Sequence, residues 1–130
     1  MKTINIAISL ILTLLLVGCG RVQPVMNVED RPVAYNLTSE QVKSAIVDSA
    51  MNRGWVVQDV TAESLSASIT VRSHTAKVSI QYSEKYYSIT YVSSTNLKAS
   101  DGKIHRNYNR WINNLDVDIQ KKLSFLAAQQ

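Results

Sequence analysis

The sequence predicts an α+β fold in which a four-stranded antiparallel meander is flanked along the chain by an N-terminal and a C-terminal helix. The hydrophobic pattern changes from a helical period to strict alternation near Gly54 and returns to a helical period near Ile104. Each predicted helix and the predicted sheet has a single apolar face. Because these faces must bury one another, we expect a single two-layer domain over residues 37–130, with both helices on one face of the sheet.

The first predicted element is a helix over Thr38–Arg53. Thr38 is a favourable N-cap, and Gln41 three residues later completes a capping box. Leu37 and Val42 flank this cap in the positions of a hydrophobic staple. The helix ends before Gly54, a residue type that favours helix termination.

Four strands are then predicted over Gly54–Thr61, Glu63–Arg72, Ala76–Tyr82 and Tyr86–Ser93. Their apolar residues alternate with polar ones, and the short connections between them indicate antiparallel hairpins. One face is therefore apolar, and the other is rich in serine and threonine. This polar face comprises Ser64, Ser66, Ser68, Thr70, Lys77, Ser79, Gln81, Ser88 and Thr90.

A polar loop over Ser94–Lys103 leads to the second predicted helix, Ile104–Ala127. Steps of three and four residues separate its apolar side chains, which is the spacing of one buried stripe. The stripe comprises Ile104, Tyr108, Trp111, Ile112, Leu115, Ile119, Leu123 and Leu126. Trp111 and Trp55 are accordingly interpreted as core residues.

Residues 1–18 have the pattern of a cleaved signal peptide. Lys2 precedes an apolar run from Ile4 to Val17, and the small residue Gly18 follows it. This run is too short for a transmembrane helix, which needs about 20 residues. A membrane-spanning anchor is therefore the weaker of the two interpretations.

The stretch Leu16-Val17-Gly18-Cys19 resembles the lipobox of bacterial lipoproteins, and Cys19 is the only cysteine of the chain. The resemblance implies cleavage between Gly18 and Cys19, a diacylglycerol thioether on the Cys19 sulfur, and an acyl chain such as palmitate on the new amino group. In a Gram-negative bacterium, Gly20 at the next position implies the periplasmic side of the outer membrane. An ordinary signal peptide whose cleavage leaves a cysteine is the alternative.

A second resemblance covers the folded part of the chain. The segment "DGKIHRNYNRWINNLD", which follows a tyrosine-rich predicted strand, is similar to segments of small envelope lipoproteins of Gram-negative bacteria. The resemblance implies the same envelope address and no particular activity.

Residues 19–36 are predicted to be a lipidated N-terminus followed by a flexible linker. Pro24 and Pro32 interrupt any helix and favour extended backbone. The seventeen residues from Gly20 to Asn36 would reach about 55 Å if fully extended. The domain could then stand well away from the membrane.

Composition excludes several classes of function. The net charge of +4 is carried by scattered residues, and export to the envelope separates the protein from DNA and RNA, so we predict no nucleic-acid partner. A single cysteine cannot form an intramolecular disulfide. A zinc site needs more ligands than the two histidines, His74 at a predicted hairpin and His105 at a helix start, so neither a metal nor a cofactor is predicted.

The densest polar segment, at the start of the second helix, contains the candidate binding residues His105, Arg106, Asn109, Arg110 and Asn113. Most of them lie near one another at helical spacing, and arginine binds phosphate or carboxylate through paired donors. The alternative is a solvated helix face whose asparagines bond to neighbouring backbone. Asp116 and Asp118 point about 200° apart on the helix and therefore do not form a catalytic pair.

No catalytic residues are predicted. The sequence favours a non-enzymatic, membrane-anchored interaction domain of the envelope, whose partner is an envelope protein or peptidoglycan. The polar face of the sheet could bind such a partner or simply face solvent. The alternative function is a small anionic-ligand binder or a hydrolase that uses the face of Arg106 and Arg110 with Asp101 nearby.

Overall fold

The computed structural model describes residues 21–130 and consists of two helices and seven strands. Gly18, Cys19 and the whole lipobox lie outside the described residues. The elements are β1 Val22–Pro24, β2 Val28–Pro32, α1 Ser39–Asn52, β3 Val56–Thr61, β4 Ser64–Val71, β5 His74–Tyr82, β6 Tyr86–Thr95, β7 Lys103–His105 and α2 Arg106–Ala128. Within residues 21–130, neither helix is long and apolar enough to cross a bilayer.

The predicted α+β class is confirmed, and the strands β3 to β6 form an antiparallel meander close to the predicted boundaries. Register follows the alternation in the sequence. Leu65 pairs with Ile80, which pairs with Ile89, and all three side chains are buried. One residue along, Ser64 pairs with Gln81 and Gln81 with Ser88, which places polar side chains on the opposite face.

The main sheet has five strands rather than the predicted four. Strand β2 pairs with β6, so the sheet order is β2-β6-β5-β4-β3. The prediction that residues up to Asn36 form a flexible linker is wrong for β1 and β2, and α1 is not the first element. Strand β2 was missed because only Val28 of its five residues is buried and Pro32 ends it.

A second, two-stranded sheet joins β1 to β7, with Val22 opposite His105 and Pro24 opposite Lys103. Ile104, predicted to begin the second helix, lies in β7 instead, and α2 begins at Arg106. Ile104 is nevertheless fully buried, as its place in the apolar stripe predicts. The N-terminal part of the described chain is therefore fixed to the start of α2.

The cap of α1 is as the sequence predicts. The Thr38 hydroxyl accepts a hydrogen bond from the Gln41 backbone N–H at 3.2 Å, and the Gln41 side chain accepts one from the Thr38 N–H at 2.9 Å. Leu37 and Val42 are both buried beside this capping box. Gly54, just past the helix, has a φ of 89°, which favours glycine at this position.

Both helices and the apolar face of the sheet contribute to a single hydrophobic core. The two helices also contact each other. Helix α2 buries Tyr108, Ile112, Leu115, Ile119 and Leu123 in the core, and α1 buries Val42, Ala45, Ile46 and Ala50. Trp55 is buried in this core as predicted, while Trp111 is partly buried at its edge.

Candidate functional site

The predicted binding residues at the start of α2 separate into internal and exposed groups. The Asn109 side-chain oxygen accepts a hydrogen bond from the Met26 N–H at 2.9 Å. Its amide nitrogen donates to the Pro24 carbonyl at 2.9 Å and to the Gln23 side chain at 3.3 Å. Asn109 is therefore engaged in holding the N-terminal segment to the helix.

His105 is the N-cap of α2. Its Nδ1 accepts a hydrogen bond from the Asn107 backbone N–H at 3.1 Å, which satisfies one of the otherwise unpaired donors of the first helical turn. This bond requires an unprotonated Nδ1. The capping role is an internal one that the sequence analysis did not assign to His105.

Arg106, Arg110 and Asn113 remain exposed on one side of α2. None of the three lines the larger grooves described below. The five predicted residues thus do not line any of these three grooves. The side chains of Asn109 and His105 form hydrogen bonds within the domain, whereas those of Arg106 and Arg110 are exposed to solvent.

The start of α2 lies in a cluster of positive charge that we call the basic end. Arg21, Lys98 and Arg106 lie close enough to His105 to act on its ring electrostatically, as does His74. His105 is desolvated by burial, and these neighbouring charges add to that effect, so the pKa of His105 is lowered. Arg72 lies close by along the chain, in the exposed turn that joins β4 to His74 in β5.

A shallow groove of about 390 Å³ lies at the opposite end of the sheet, and we call it the distal groove. It is formed where β4 begins, where β5 passes into β6, and where Asp30 of β2 reaches Ser88 of β6. The Asp30 N–H donates to the Ser88 hydroxyl at 2.9 Å. The lining residues are Asp30, Thr61, Glu63, Ser64, Gln81, Tyr82, Ser83, Tyr86, Tyr87 and Ser88.

The chemistry of the distal groove is that of a polar binding surface with one exposed aromatic ring. Asp30 and Glu63 supply carboxylates that accept hydrogen bonds, Gln81 can both donate and accept, and the serines add hydroxyls. Tyr86 is 49 % exposed and offers a ring face. The alternating serines of the sequence indicated this face, but only the fold places β2 and the two hairpin turns around it.

A buried polar network lies beneath the sheet and was not predicted. Asp116 is buried, with 7 % of its side chain exposed. Its carboxylate accepts a hydrogen bond from the Tyr87 hydroxyl at 2.5 Å and is bound by Arg31 through Nη2 at 2.5 Å and Nε at 3.3 Å. Gln120 donates to the Tyr87 hydroxyl at 2.9 Å. Burial, reinforced by the bond to Asp116, raises the pKa of Tyr87.

This network connects β2, β6 and α2 and has the character of a structural clamp. Its polar atoms satisfy one another, and no nucleophile such as serine or cysteine takes part in it. Asp118 forms a separate pair with Arg53, Nε to Oδ2 at 2.7 Å. Asp116 and Asp118 thus bind different arginines.

Two further concave features lie elsewhere on the described surface. A pocket of about 160 Å³ lies between the end of β4 and α2. It is lined by Arg53, Trp55, Ile69, Val71, Trp111 and Asn114. A groove of about 340 Å³ between the helices contains Lys121, Lys122 and Phe125. Within residues 21–130, no group of three or more His, Cys, Asp or Glu side chains is placed to hold one metal ion.

Comparison of the chain with models of known protein families and with curated protein sequences finds no match.

Proposed function

We propose that the protein is a non-enzymatic envelope lipoprotein, anchored through lipid on Cys19 at the periplasmic side of the outer membrane of a Gram-negative bacterium. The observation that carries the proposal is the four-residue lipobox Leu16–Cys19 at the end of a signal-like apolar run. Within the described residues, β1 begins at Val22, three positions after Cys19 in the sequence. Two or three acyl chains hold a protein at a bilayer far more firmly than one.

The surface proposed to meet a partner is the distal groove, and the partner class is the glycan strand of peptidoglycan. Sugar hydroxyls donate to carboxylates such as those of Asp30 and Glu63, and an apolar sugar face packs on an exposed ring such as that of Tyr86. The groove lies at the end of the sheet farthest from Arg21. An anchored domain would therefore present it away from the membrane, toward the cell wall.

The anionic-ligand function is less well supported by the positions of the residues concerned. His105 and Asn109 are engaged in hydrogen bonds within the fold, and Arg106 and Arg110 lie on an open helix face. A small anion is bound best where several donors converge in a concave site. We therefore propose that the basic end has a role other than binding a small anion.

Replacement of Cys19 by serine is expected to abolish incorporation of labelled palmitate and to release the protein from the membrane fraction. Serine keeps the size of the side chain but lacks the sulfur that forms the thioether. Metabolic labelling followed by membrane fractionation measures both effects. Unchanged labelling and fractionation of Cys19→Ser would refute the anchor, and Gly20→Ser serves as the matched neighbouring control that should stay in the membrane.

Replacement of Tyr86 by alanine is expected to lower affinity for purified peptidoglycan about tenfold, because an exposed aromatic anchor is removed without disturbing the core. The purified lipoprotein would be co-sedimented with peptidoglycan at increasing concentrations, with Asn113→Ala as a surface control distant from the groove. Equal binding by wild type and Tyr86→Ala, or no binding by either, would exclude the groove as a glycan site. A photo-cross-linker at Gln81 would then test for a protein partner in intact cells.

A further inference from the structure

The chain enters the folded domain at the basic end, with almost no free length after Cys19. The Arg21 carbonyl accepts a hydrogen bond from the Arg106 N–H at 2.9 Å, and Val22 pairs with His105. Only Gly20 separates Arg21 from Cys19. Two residue steps span at most about 7 Å, so a lipid on Cys19 would hold Arg21 at the headgroup level of the bilayer.

The basic end is therefore the part of the domain that meets the membrane first. The Arg106 N–H bonds to the Arg21 carbonyl, and the His105 N–H bonds to the carbonyl of Leu97, the neighbour of Lys98. Arg21, Lys98 and Arg106 are all exposed. Arg72 adds a further exposed positive charge in the turn between β4 and β5. In the nearby turn before β7, Asp101 is opposed in charge by Lys103, so the net charge of this end remains positive.

We propose that the basic end docks on the anionic phospholipid headgroups of the bilayer in which Cys19 is anchored. The docking rests on the proposed lipid anchor, and it assigns anionic headgroups as the ligand of the basic end. A lysine or arginine held near an anionic surface changes the binding equilibrium by about fivefold. Because the anchor already holds the domain at the surface, this attraction acts on orientation rather than on binding itself.

Docking in this way fixes the direction of the sheet. Strands β4 and β5 run between the basic end at His74 and the distal groove at Tyr82. The nine residues of β5, at about 3.3 Å each, place the groove roughly 30 Å from the membrane-facing end. The basic end would then face the bilayer, and the distal groove would face the cell wall.

Two hairpin turns at opposite ends of the same sheet allow a direct test. The lipidated full-length mature protein would carry a fluorophore at either Ser73→Cys, in the turn of the basic end, or Glu84→Cys, in the turn beside the groove. The lipid on Cys19 leaves the introduced cysteine as the one reactive thiol. Vesicles containing phosphatidylglycerol and a headgroup-attached quencher would be compared with phosphatidylcholine vesicles containing the same quencher.

We expect the label at residue 73 to be quenched strongly in phosphatidylglycerol vesicles and several-fold less in phosphatidylcholine or high salt. The label at residue 84 should be quenched little in all of them. The triple variant Arg21→Glu, Lys98→Glu and Arg106→Glu should lose the strong quenching while it stays attached through its lipid. A charge-matched variant, Lys85→Glu, Lys121→Glu and Lys122→Glu, should keep it.

The outcomes separate the docking from the anchor. Protein that leaves the vesicles altogether would contradict the anchor on Cys19. Protein that stays attached, with equal quenching at residues 73 and 84 or with quenching independent of lipid charge, would overturn the docking alone. The lipid and salt comparisons use wild-type charges, so they remain decisive if the triple variant folds poorly.

Discussion

Replacement of Asp116 by alanine is expected to lower the free energy of unfolding by about 3 kcal/mol. The change leaves the buried Tyr87 hydroxyl without its acceptor and the Arg31 guanidinium without its counterion. The side chain of Arg31 is 45 % exposed, so water solvates part of its charge and the loss stays at the lower end of the range for a broken buried pair. Strand β2, which Arg31 connects to α2, should be the region most affected.

Urea unfolding followed by circular dichroism measures the change, and Asp118→Ala is the matched control two residues away. Asp118 binds Arg53 on the surface, where solvent and salt screen an ion pair, so its loss should destabilise the fold much less. Faster amide hydrogen exchange in Val28–Pro32 should accompany Asp116→Ala only. Equal and small losses for both variants would show that the Asp116 network is not a clamp.

Replacement of Asn109 by alanine is expected to lower the free energy of unfolding by about 2 kcal/mol and to loosen the N-terminal segment. The Met26 N–H and the Pro24 carbonyl both lose their partner, since Asn109 bonds to each of them. The matched control is Asn113→Ala, one turn along α2 and exposed, which should be nearly neutral.

Limited proteolysis of the folded protein detects the loosening directly. Cleavage at Arg21 should become faster in Asn109→Ala and remain slow in Asn113→Ala and in wild type, because Arg21 is held against α2 by the Arg106 N–H. If Asn109→Ala folds as stably as wild type, Asn109 is free to act as a binding residue, as the sequence alone suggested. The same result would weaken the proposal that the domain is held close to the membrane.

The parts of the fold that were predictable are those specified by local patterns. Helix α1 carries its own capping box at Thr38 and Gln41, and β4 and β5 alternate without interruption. Each of these signals lies within a few neighbouring residues, and short turns then determine which strands pair. The meander therefore followed from the sequence.

The parts that were missed depend on contacts between distant residues. Strand β2 has little apolar character, and it is held by pairing with β6 and by Arg31, which binds a carboxylate 85 positions away. Nothing local in "VEDRP" indicates that partner. Strand β1 is likewise held by distant partners, β7 and Asn109. Because these partners cannot be recognised locally, a segment with two prolines and several polar residues was predicted to be a linker.

The candidate surfaces follow the same division. The polar face of the meander was visible in the alternating serines, but the distal groove also needs Asp30 from β2. The arginines at the start of α2 were noticed as a cluster, but the position of Arg106 beside Arg21 depends on the pairing of β1 with β7. If Cys19 carries the proposed lipid, this pairing leaves only a short connection between the domain and the membrane.

The mass of the N-terminal peptide of the mature protein tests the central claim most directly. The protein would be expressed with its signal peptide in a Gram-negative host, extracted from membranes and digested for mass spectrometry. We predict a peptide that begins at Cys19 and carries a diacylglyceryl group and an amide-linked acyl chain. A peptide that begins at Met1, or at any residue other than Cys19, or one with a free Cys19 thiol, would contradict the lipid anchor.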